Sequence, residues 1–495
     1  MQTDFEFSIN GDIRRSGGAP VAFSLRDYLL DEQARLEKAP LSRDVCPVLL
    51  VTHDARQQPV LRLVHSCCLT LPMLAGREIW TVDAIGGQEQ QVGSLQEALC
   101  IAQRLSCHCT DQTLSVLSGE SHAKRVKSNV GGELHGENGF AGFPAALKAL
   151  LQEQKEDQPD TAERTISEVT YNGMESALSY MDPSGDLFFR PASLNAALKL
   201  LQAHSGAEIA VGDTLYAGRT SFPGAPRVIV CLDSAVQLGQ VSLEDGRWHV
   251  GGAVTLRALT EATNGKFPLI EKMAMVMGSL TRKNRLTVSG GLLDERQNPE
   301  LLTLLLALNA QVVISSLGGE RHLMLHDCLG GVLSSALKRG EIPSGVLLQC
   351  PGSGGDEAGG HHLSGFFSIA RRHSGEGAMI CAAFSVMVDA QGRVEEARLC
   401  YGGIGQYALR ATESEELLKG GLWGPKLAGR VERGLRGEFS GRVTGAESGG
   451  EYRNAMVCGL WRKFFAENRT PGELDPLLQG FGNGMAPAPS VPEKC

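Results

Sequence analysis

The sequence predicts an α+β protein that is divided into several domains. Its 495 residues exceed what one compact core accommodates, so roughly three domains are expected. Short alternating apolar runs near the start are typical of β-strands, whereas later β-rich runs are separated by segments of helical periodicity. Hydrophobic residues make up 42% of the chain, and no apolar run approaches the about 18 residues that a transmembrane helix needs. The pattern therefore predicts a soluble protein without a membrane span.

Residues 1–90 carry the pattern of a small β-grasp-like sheet. The run FEFSI (Phe5–Ile9) ends at Asn10-Gly11, and an Asn-Gly pair between short strands is a hairpin signal. The segment Leu25–Lys38 has helical character, and we expect it to pack across the sheet. Three further β-rich runs follow, at residues 48–53, 60–65 and 78–82.

The rest of the chain alternates between structured and polar stretches. Residues 91–150 are helical in pattern, and the polar, glycine-punctuated residues 151–186 are typical of a linker. Residues 187–352 alternate helices with β-rich runs and are expected to form an α+β domain. Residues 359–470 contain a strand–turn–strand pattern followed by helices, which predicts a further α+β domain. The Pro- and Gly-rich residues 471–495 are expected to be disordered.

Charge and cysteine content exclude several classes of function. The net charge of −9 gives no electrostatic basis for binding nucleic acid. The first residues lack a basic region followed by an apolar core, so no secretory signal peptide is predicted. The 13 cysteines are an odd number spread over a long chain, which favours free thiols or metal ligands in the cytoplasm over a disulfide framework.

Two cysteine-containing segments link the chain to a known family. The segment HSCCLTLPMLAGREIWTVDAIGG (His65–Gly87) is followed by SLQEAL and then by SCHCT (Ser106–Thr110). These segments resemble the small subunit of bacterial xanthine dehydrogenases, which are molybdenum hydroxylases. The resemblance extends to about Phe465. It implies a ferredoxin-like β-grasp domain, a helical second-cluster domain, an FAD-binding domain of the PCMH (vanillyl-alcohol-oxidase-like) type and a C-terminal α+β domain.

The resemblance places cysteines where the family holds two 2Fe-2S clusters, but the ligand sets are incomplete. Cys46 and Cys67 match the third and fourth ligands of the first cluster, while Arg43 stands at the second. Cys107 and Cys109 correspond to part of the second cluster. Because each cluster needs four ligands, we expect cluster binding to be impaired. An alternative is that these four cysteines form one hybrid metal site.

In this family, two glycine-rich loops bind the flavin diphosphate. The first of these loops has a clear counterpart in this sequence. Val211, Gly212, Asp213 and Thr214 fill its positions. Glycine lets backbone N–H groups approach diphosphate oxygens closely. The resemblance therefore implies that these four residues bind FAD.

The second loop lies in the segment SLTRKNRLTVSGG. Asn284, Thr287 and Gly290 match the family pattern, and Ser289 replaces a glycine. Further on, Glu300 stands at the position of a family aspartate. The resemblance implies that these residues also bind FAD, with main-chain amides of both loops converging on the diphosphate.

Three departures from the family pattern predict weaker FAD binding. Leu286 replaces a glycine and is expected to crowd the cofactor path. Gly291 replaces an asparagine and Phe367 stands where the family has a lysine, so each lacks a polar contact. Hydrogen bonds to a charged group are worth about 1.5–3 kcal/mol each, so losing two predicts a loss of about a hundredfold or more in affinity. The alternative is a retained scaffold with an empty groove.

The sequence contains no catalytic set of its own, since it lacks a Gly-x-Ser-x-Gly elbow, a P-loop and a His-Glu-x-x-His motif. The resemblance therefore implies an electron-transfer subunit that takes electrons from a molybdopterin-binding large subunit and passes them through FAD to NAD. Two alternatives stay open. One is a non-catalytic structural or regulatory subunit of such a complex, and the other is an FAD-dependent oxidoreductase that works without clusters.

Overall fold

The computed structural model describes residues 1–35, 47–53, 59–81, 177–212, 227–277, 280–295, 298–329, 333, 336, 337–349, 360–370, 378–440 and 450–469. The predicted helical domain at 91–150 and the predicted tail at 471–495 lie outside these residues, as do Asp213 and Thr214. Within the described part of the chain, no helix is both long and apolar enough to cross a membrane.

The first domain is a five-stranded sheet with one helix across it. The elements are β1 (Glu6–Ile9), β2 (Asp12–Arg15), α1 (Leu25–Arg35), β3 (Pro47–His53), β4 (Pro59–His65) and β5 (Glu78–Trp80). The strand order is β2-β1-β5-β3-β4, and β1 runs parallel to β5 while the other neighbours are antiparallel. Asn10 and Gly11 join β1 to β2 with φ angles of 56° and 85°, as the predicted hairpin requires. Leu25 and Leu29 of α1 share a core with Phe7, so the predicted sheet and helix are confirmed, while a ferredoxin role stays a prediction.

The second domain begins with a smaller sheet. Its elements are β6 (Leu178–Met181), β7 (Leu187–Arg190), α2 (Leu194–Ala203), β8 (Glu208–Ala210) and β9 (Val228–Cys231), and the strand order is β6-β7-β9-β8. β7, β9 and β8 are parallel, so their carboxyl ends share one edge. β6 lies inside residues 151–186, the range predicted to be a linker. The prediction is therefore wrong for the last part of that range. The strand is four residues long and flanked by polar residues, which leaves almost no periodic signal.

A larger antiparallel sheet and a set of helices complete the second domain. The strands are β10 (Val241–Glu244), β11 (Arg247–Gly251), β12 (Gln311–Ser316), β13 (Gly319–Met324) and β14 (Ile342–Gln349), in the order β10-β11-β14-β12-β13. The helices are α3 (Leu256–Thr263), α4 (Pro268–Val276), α5 (Leu280–Arg285), α6 (Val288–Leu293), α7 (Pro299–Ala307) and α8 (Leu325–Cys328). Almost every residue of α7 is buried, as its all-round apolar sequence predicts.

The C-terminal domain is an antiparallel sheet between two cores. Its strands are β15 (His361–Ile369), β16 (Ile380–Val388), β17 (Val394–Gly402) and β18 (Leu409–Arg410), and its helices are α9 (Thr412–Leu418), α10 (Pro425–Glu438) and α11 (Gly450–Glu467). On one face, Phe384 packs against Trp461 and Phe464 of α11, with ring centroids 5.9 and 5.1 Å apart. On the other face, Ala383 and Cys400 belong to the core of the second domain.

The first domain and the smaller sheet of the second domain share one core. Phe7 and Ile9 of β1 lie in the same buried cluster as Tyr180, Phe188 and Ile229. The main chains also meet, because the N–H of residue 2 donates to the carbonyl of residue 179 at 2.8 Å. The N-terminal sheet is therefore packed against the second domain rather than merely linked to it.

Candidate cofactor-binding site

The first predicted loop starts at the carboxyl edge of the parallel strands. β8 ends at Ala210, the Val211 side chain is buried in the core, and the chain turns at Gly212 with a φ of 66°, which favours glycine. A Cβ at Gly212 would overlap the carbonyl oxygen of Arg285, the last residue of α5. The loop backbone therefore lies directly against the end of α5, and only glycine fits there.

Asp233 joins the two loops. It follows β9 at the same edge of the sheet, and its Oδ1 accepts the N–H of Gly212 at 2.9 Å. Its Oδ2 accepts Arg285 Nη1 at 3.0 Å, and Arg285 also donates to the carbonyl of Gly212. Burial raises the pKa of Asp233, but the guanidiniums of Arg285 and Arg77 together with the Gly212 N–H outweigh it and hold the pKa below its usual value. The carboxylate is therefore charged at neutral pH.

Three buried arginines lie around this edge of the sheet, and two of them, Arg285 and Arg77, act on the charge of Asp233. Arg190, at the end of β7, donates to the carbonyls of Met73 and Ala75 at 2.9 and 2.6 Å. Arg285 Nη2 lies 4.0 Å from Met73 Sδ. Arg77, Arg190 and Arg285 are exposed by 7%, 1% and 7%. Arg285 contacts Gly212 and Arg77 contacts Ser234, and planar guanidiniums at such an edge suit an anionic group such as a diphosphate.

The second predicted loop directs its main-chain amides into the protein. The Thr287 hydroxyl accepts the N–H of Gly290 at 3.2 Å, and the Ser289 N–H donates to the carbonyl of Gly252 at 2.8 Å. The Ser289 hydroxyl donates to the carbonyl of Pro343. The expectation that these amides converge on a diphosphate is therefore wrong, because the start of α6 and its contact with the large sheet use them. Other contacts of these residues with FAD stay a prediction.

Asn284 and Glu300 are both buried, with exposures of 7% and 4%. The Glu300 carboxylate accepts the N–H of Ala378 at 2.9 Å and pairs with Arg282 at 3.4 Å. Glu300 thus ties α7 to α5 and to the residues before β16. Its predicted contact with FAD, like that of Asn284, stays a prediction.

Two of the three predicted obstacles to FAD face the protein core. Leu286 is 1% exposed and lies in the same apolar cluster as Leu256 and Leu301. A Cβ at Gly291 would lie 2.5 Å from Leu301 Cδ2, so an asparagine there would collide with the core. The prediction that Leu286 crowds the cofactor path and that Gly291 lacks a cofactor contact is wrong, because sequence position does not reveal side-chain direction.

The third predicted obstacle, Phe367, faces away from the second domain. Side chains alternate along a strand, and on β15 the Phe366 side chain lies in the core of the second domain. Phe367 packs instead against Phe384, at 6.0 Å between ring centroids, in the C-terminal core. The prediction that Phe367 stands at a position of cofactor contact is therefore wrong as well. The next residue on the same face of β15 as Phe366 is Ser368. All three reasons for expecting weak FAD binding are thereby removed.

Of the four predicted metal-ligating cysteines, the structure describes Cys67. It is exposed, and its Sγ lies 3.9 Å from that of Cys68. Cys46, Cys107 and Cys109 lie outside the described residues. Among the residues that are described, no group of three or more His, Cys, Asp or Glu side chains could hold a metal ion. Cluster binding stays a matter of prediction.

Sequence inspection missed the charged cluster. Asp233 gave a usable signal, because it follows an apolar strand, and parallel sheets bind ligands at the carboxyl ends of their strands. The arginines gave none, since their partners are distant in sequence. Arg285 and Met73, for example, are separated by 212 positions.

Comparison with known proteins identifies the class of the two larger domains. Residues 181–348 match the family model described as the FAD binding domain in molybdopterin dehydrogenase. Residues 365–468 match the CO dehydrogenase flavoprotein C-terminal domain. The second domain is therefore similar to the FAD-binding domain of molybdopterin dehydrogenases, and the C-terminal domain to that of the CO dehydrogenase flavoprotein. The narrower prediction, a small subunit of bacterial xanthine dehydrogenase, goes beyond these matches.

Individual relatives include subunits of dehydrogenases and a longer oxidase. The nicotinate dehydrogenase FAD-subunit of Eubacterium barkeri is 28% identical over 47% of this chain and 79% of its own length. The 6-hydroxypseudooxynicotine dehydrogenase complex subunit alpha of Paenarthrobacter nicotinovorans is 29% identical over 46% of this chain and 75% of its own length. Aldehyde oxidase 1 of Oryctolagus cuniculus is 21% identical over 88% of this chain but 36% of its own length.

Proposed function

We propose that this chain is the FAD-carrying electron-transfer subunit of a molybdenum hydroxylase. It works with a molybdopterin-binding large subunit, from which electrons reach FAD, and NAD accepts them from the flavin. The two family domains and relatives named as FAD subunits or as parts of dehydrogenase complexes support this proposal. A cytoplasmic location belongs to it, because the cysteines that the structure describes are free thiols and such thiols persist in a reducing compartment.

The contact between Gly212 and Arg285 supports FAD binding most directly. It brings the Gly212 turn to the carboxyl edge of parallel strands, where such sheets bind nucleotides, and it places the Arg285 guanidinium beside that turn. Asp213 and Thr214 would hold the diphosphate through their backbone, Gly212 would set the turn that precedes them, and Arg77 would contribute positive charge nearby. The bound flavin would supply two-electron redox chemistry, while the protein supplies binding, orientation and electrostatics.

The large subunit is proposed to contact the N-terminal part of the chain, including residues 91–150. β2 is an edge strand of its sheet, and Ile13 on it is 60% exposed. An edge strand presents unpaired backbone groups with which a partner chain can pair. Co-elution with a co-expressed large subunit in size-exclusion chromatography is the expected result, and separate elution would contradict this part of the proposal.

Electron transfer can be tested on the purified protein under anaerobic conditions. We expect flavin absorption in the protein as isolated and its bleaching when NADH is added, because the flavin–NAD step is reversible. Absence of flavin, even after incubation with FAD, would contradict the flavin part of the proposal. Bound flavin that dithionite reduces but NADH does not would contradict the assignment of NAD alone.

A non-catalytic subunit is the second candidate, and the second loop favours it. The amides of Ser289 and Gly290 are bonded within the protein. This loop therefore offers fewer N–H donors to a diphosphate than the resemblance implies. A stable complex with the large subunit that forms equally well with and without FAD would support this candidate.

A further inference from the structure

We propose that the Asp233–Arg285 ion pair is a positioning clamp for the first flavin loop, and that the first domain forms its outer wall. The clamp rests on the proposed function, because it assumes that FAD binds at Gly212. It assigns to the N-terminal sheet a task in flavin binding that does not depend on any cluster.

The clamp holds Gly212 from both sides. Asp233 accepts its N–H at 2.9 Å, and Arg285 donates to its carbonyl oxygen. The peptide planes before and after Gly212 are thus both fixed, at a φ of 66°. The clamp therefore fixes the direction in which the chain leaves Gly212.

One carboxylate links the two loops. Oδ1 of Asp233 binds the first loop, and Oδ2 binds Arg285, which lies two residues before Thr287 at the start of the second loop. The Asp233 and Arg285 side chains are exposed by only 9% and 8%. In such a dry setting an ion pair with additional hydrogen bonds holds its geometry firmly, and removing one partner leaves an uncompensated charge.

The outer wall is the segment Leu71–Arg77 of the first domain. Met73 is fully buried and its sulfur lies 4.0 Å from Arg285 Nη2. Arg190 fastens the segment through two carbonyl groups. At the end of the segment, Arg77 donates to Ser234, the neighbour of Asp233, at 3.3 Å. The first domain thereby excludes water from the clamp and adds a positive charge beside its carboxylate.

A flavin titration of the full-length protein tests the clamp. Asp233→Asn and Arg285→Gln should each weaken FAD binding at least tenfold, which corresponds to about 1.4 kcal/mol, while Arg285→Lys should be intermediate because it keeps the charge but not the fork. Arg77→Gln should weaken FAD binding by a smaller factor. Because this variant keeps the Asp233–Arg285 pair, it still provides a test if the other variants fail to fold. The matched control is Arg62→Gln, which removes another ion pair between the two domains, to Glu261 at 3.4 Å on the surface, and should leave the Kd unchanged.

Hydrogen exchange in the flavin-free protein separates positioning from general stability. Asp233→Asn should accelerate exchange at Gly212 while core strand β9 stays protected. If the wild type binds no FAD, the proposed function fails and the clamp falls with it. If the wild type binds FAD and the folded Asp233, Arg285 and Arg77 variants match it within twofold, the clamp is refuted while the proposed function stands.

Discussion

At the residue scale, Gly212 and Asp233 account for the local geometry of the candidate site. Gly212 permits a backbone contact that any side chain would prevent, and Asp233 fixes both of its peptide groups together with Arg285. Glu300 has a comparable role farther along, because it accepts from Ala378 and pairs with Arg282. Each of these acids binds groups from more than one element, so each determines a junction rather than a single contact.

Phe367→Lys, which would restore the family's lysine, is expected to destabilise the protein instead of improving FAD binding. The Phe367 ring packs on Phe384, and the ammonium of Lys463 already lies 5.2 Å from it. A lysine would lose the aromatic packing and bring a second cation close to that of the exposed Lys463, at a cost of about 3–5 kcal/mol in the free energy of unfolding. Urea unfolding measures this, and Phe367→Leu is the control with a smaller expected loss. Increased FAD content at unchanged stability would show that the side chain faces the groove.

The turn at Gly212 could be predicted from sequence, because a glycine directly after a strand is a local signal. The orientation of Leu286, Gly291 and Phe367 could not. It depends on the register of a strand and on the packing of α6 against Leu301, which are long-range properties. Residue type therefore predicted the positions that line up with the family, but not which of them face the groove.

At the element scale, the turn over Leu71–Leu74 connects the first domain to the candidate site. Its residues are all buried. Arg190 binds the carbonyl of Met73 within the turn and the carbonyl of Ala75 directly after it. An arginine that is 1% exposed must satisfy its donors within the protein. The turn and β7 therefore depend on each other.

Arg190→Gln is expected to loosen this turn. Glutamine is too short to reach both carbonyl groups, and a buried carbonyl without its partner costs about 1–3 kcal/mol. Hydrogen exchange should rise across residues 71–77 and stay unchanged in β16, which belongs to the C-terminal domain. Arg62→Gln, at the surface between the same two domains, is the control. Equal protection of residues 71–77 in both variants would contradict the role given to Arg190.

The turn after β6 makes stability depend on pH. Asp182 accepts the N–H of Val21 at 3.1 Å and three hydrogen bonds from Ser184 and Asp186. Burial raises the pKa of Asp182, but these hydrogen bonds outweigh it and the pKa lies below the ordinary value of 3.8. The stabilisation is therefore complete above that ordinary value and is lost as the pH falls through the lowered pKa of the folded state.

Asp182→Asn tests this pH dependence. The difference in unfolding free energy between wild type and Asp182→Asn should be constant near neutral pH, at about 1–3 kcal/mol, and should shrink as the pH falls below the ordinary carboxyl pKa. Urea unfolding across the acidic range measures the difference. Asp12→Asn, at a side chain that is 74% exposed, should show no such trend. A constant difference at all pH values would contradict the assignment.

The elements with strong local signals were predictable. The Asn10-Gly11 hairpin and the apolar helix α7 are examples, because turn chemistry and all-round hydrophobicity are properties of a few neighbouring residues. β6 was not, since a four-residue strand derives its stability from pairing with β7. The loop-to-loop contact at Gly212 depends on three elements at once and was likewise out of reach.

At the scale of the whole molecule, the first domain and the second domain share one apolar core. Tyr180, Phe188 and Ile229 bury their side chains against β1 and α1, and the Tyr180 hydroxyl donates to the carbonyl of Ala19 at 2.6 Å. Such an apolar interface keeps domains together, whereas small polar interfaces permit relative motion. The N-terminal sheet is therefore part of the scaffold that carries the candidate flavin site.

Removal of residues 1–81 is expected to make the remaining chain aggregate. It would expose the apolar face around Phe188 and Ile229, and large exposed apolar patches promote association. Light scattering of the truncated and full-length proteins at equal concentration measures this, with removal of residues 471–495 as the control. A soluble, monomeric truncated protein would contradict the scaffold role of the first domain.

The central claim is that this chain carries FAD at the Gly212 loop, and its FAD content tests that claim most directly. The protein is purified under native conditions and incubated with excess FAD. After gel filtration, the flavin released by denaturation is quantified per chain. We expect one FAD per wild-type chain and a loss of most of it in Gly212→Val, whose side chain would displace the end of α5. A folded wild-type protein that retains no FAD, or a folded Gly212→Val variant that retains as much as the wild type, would contradict it.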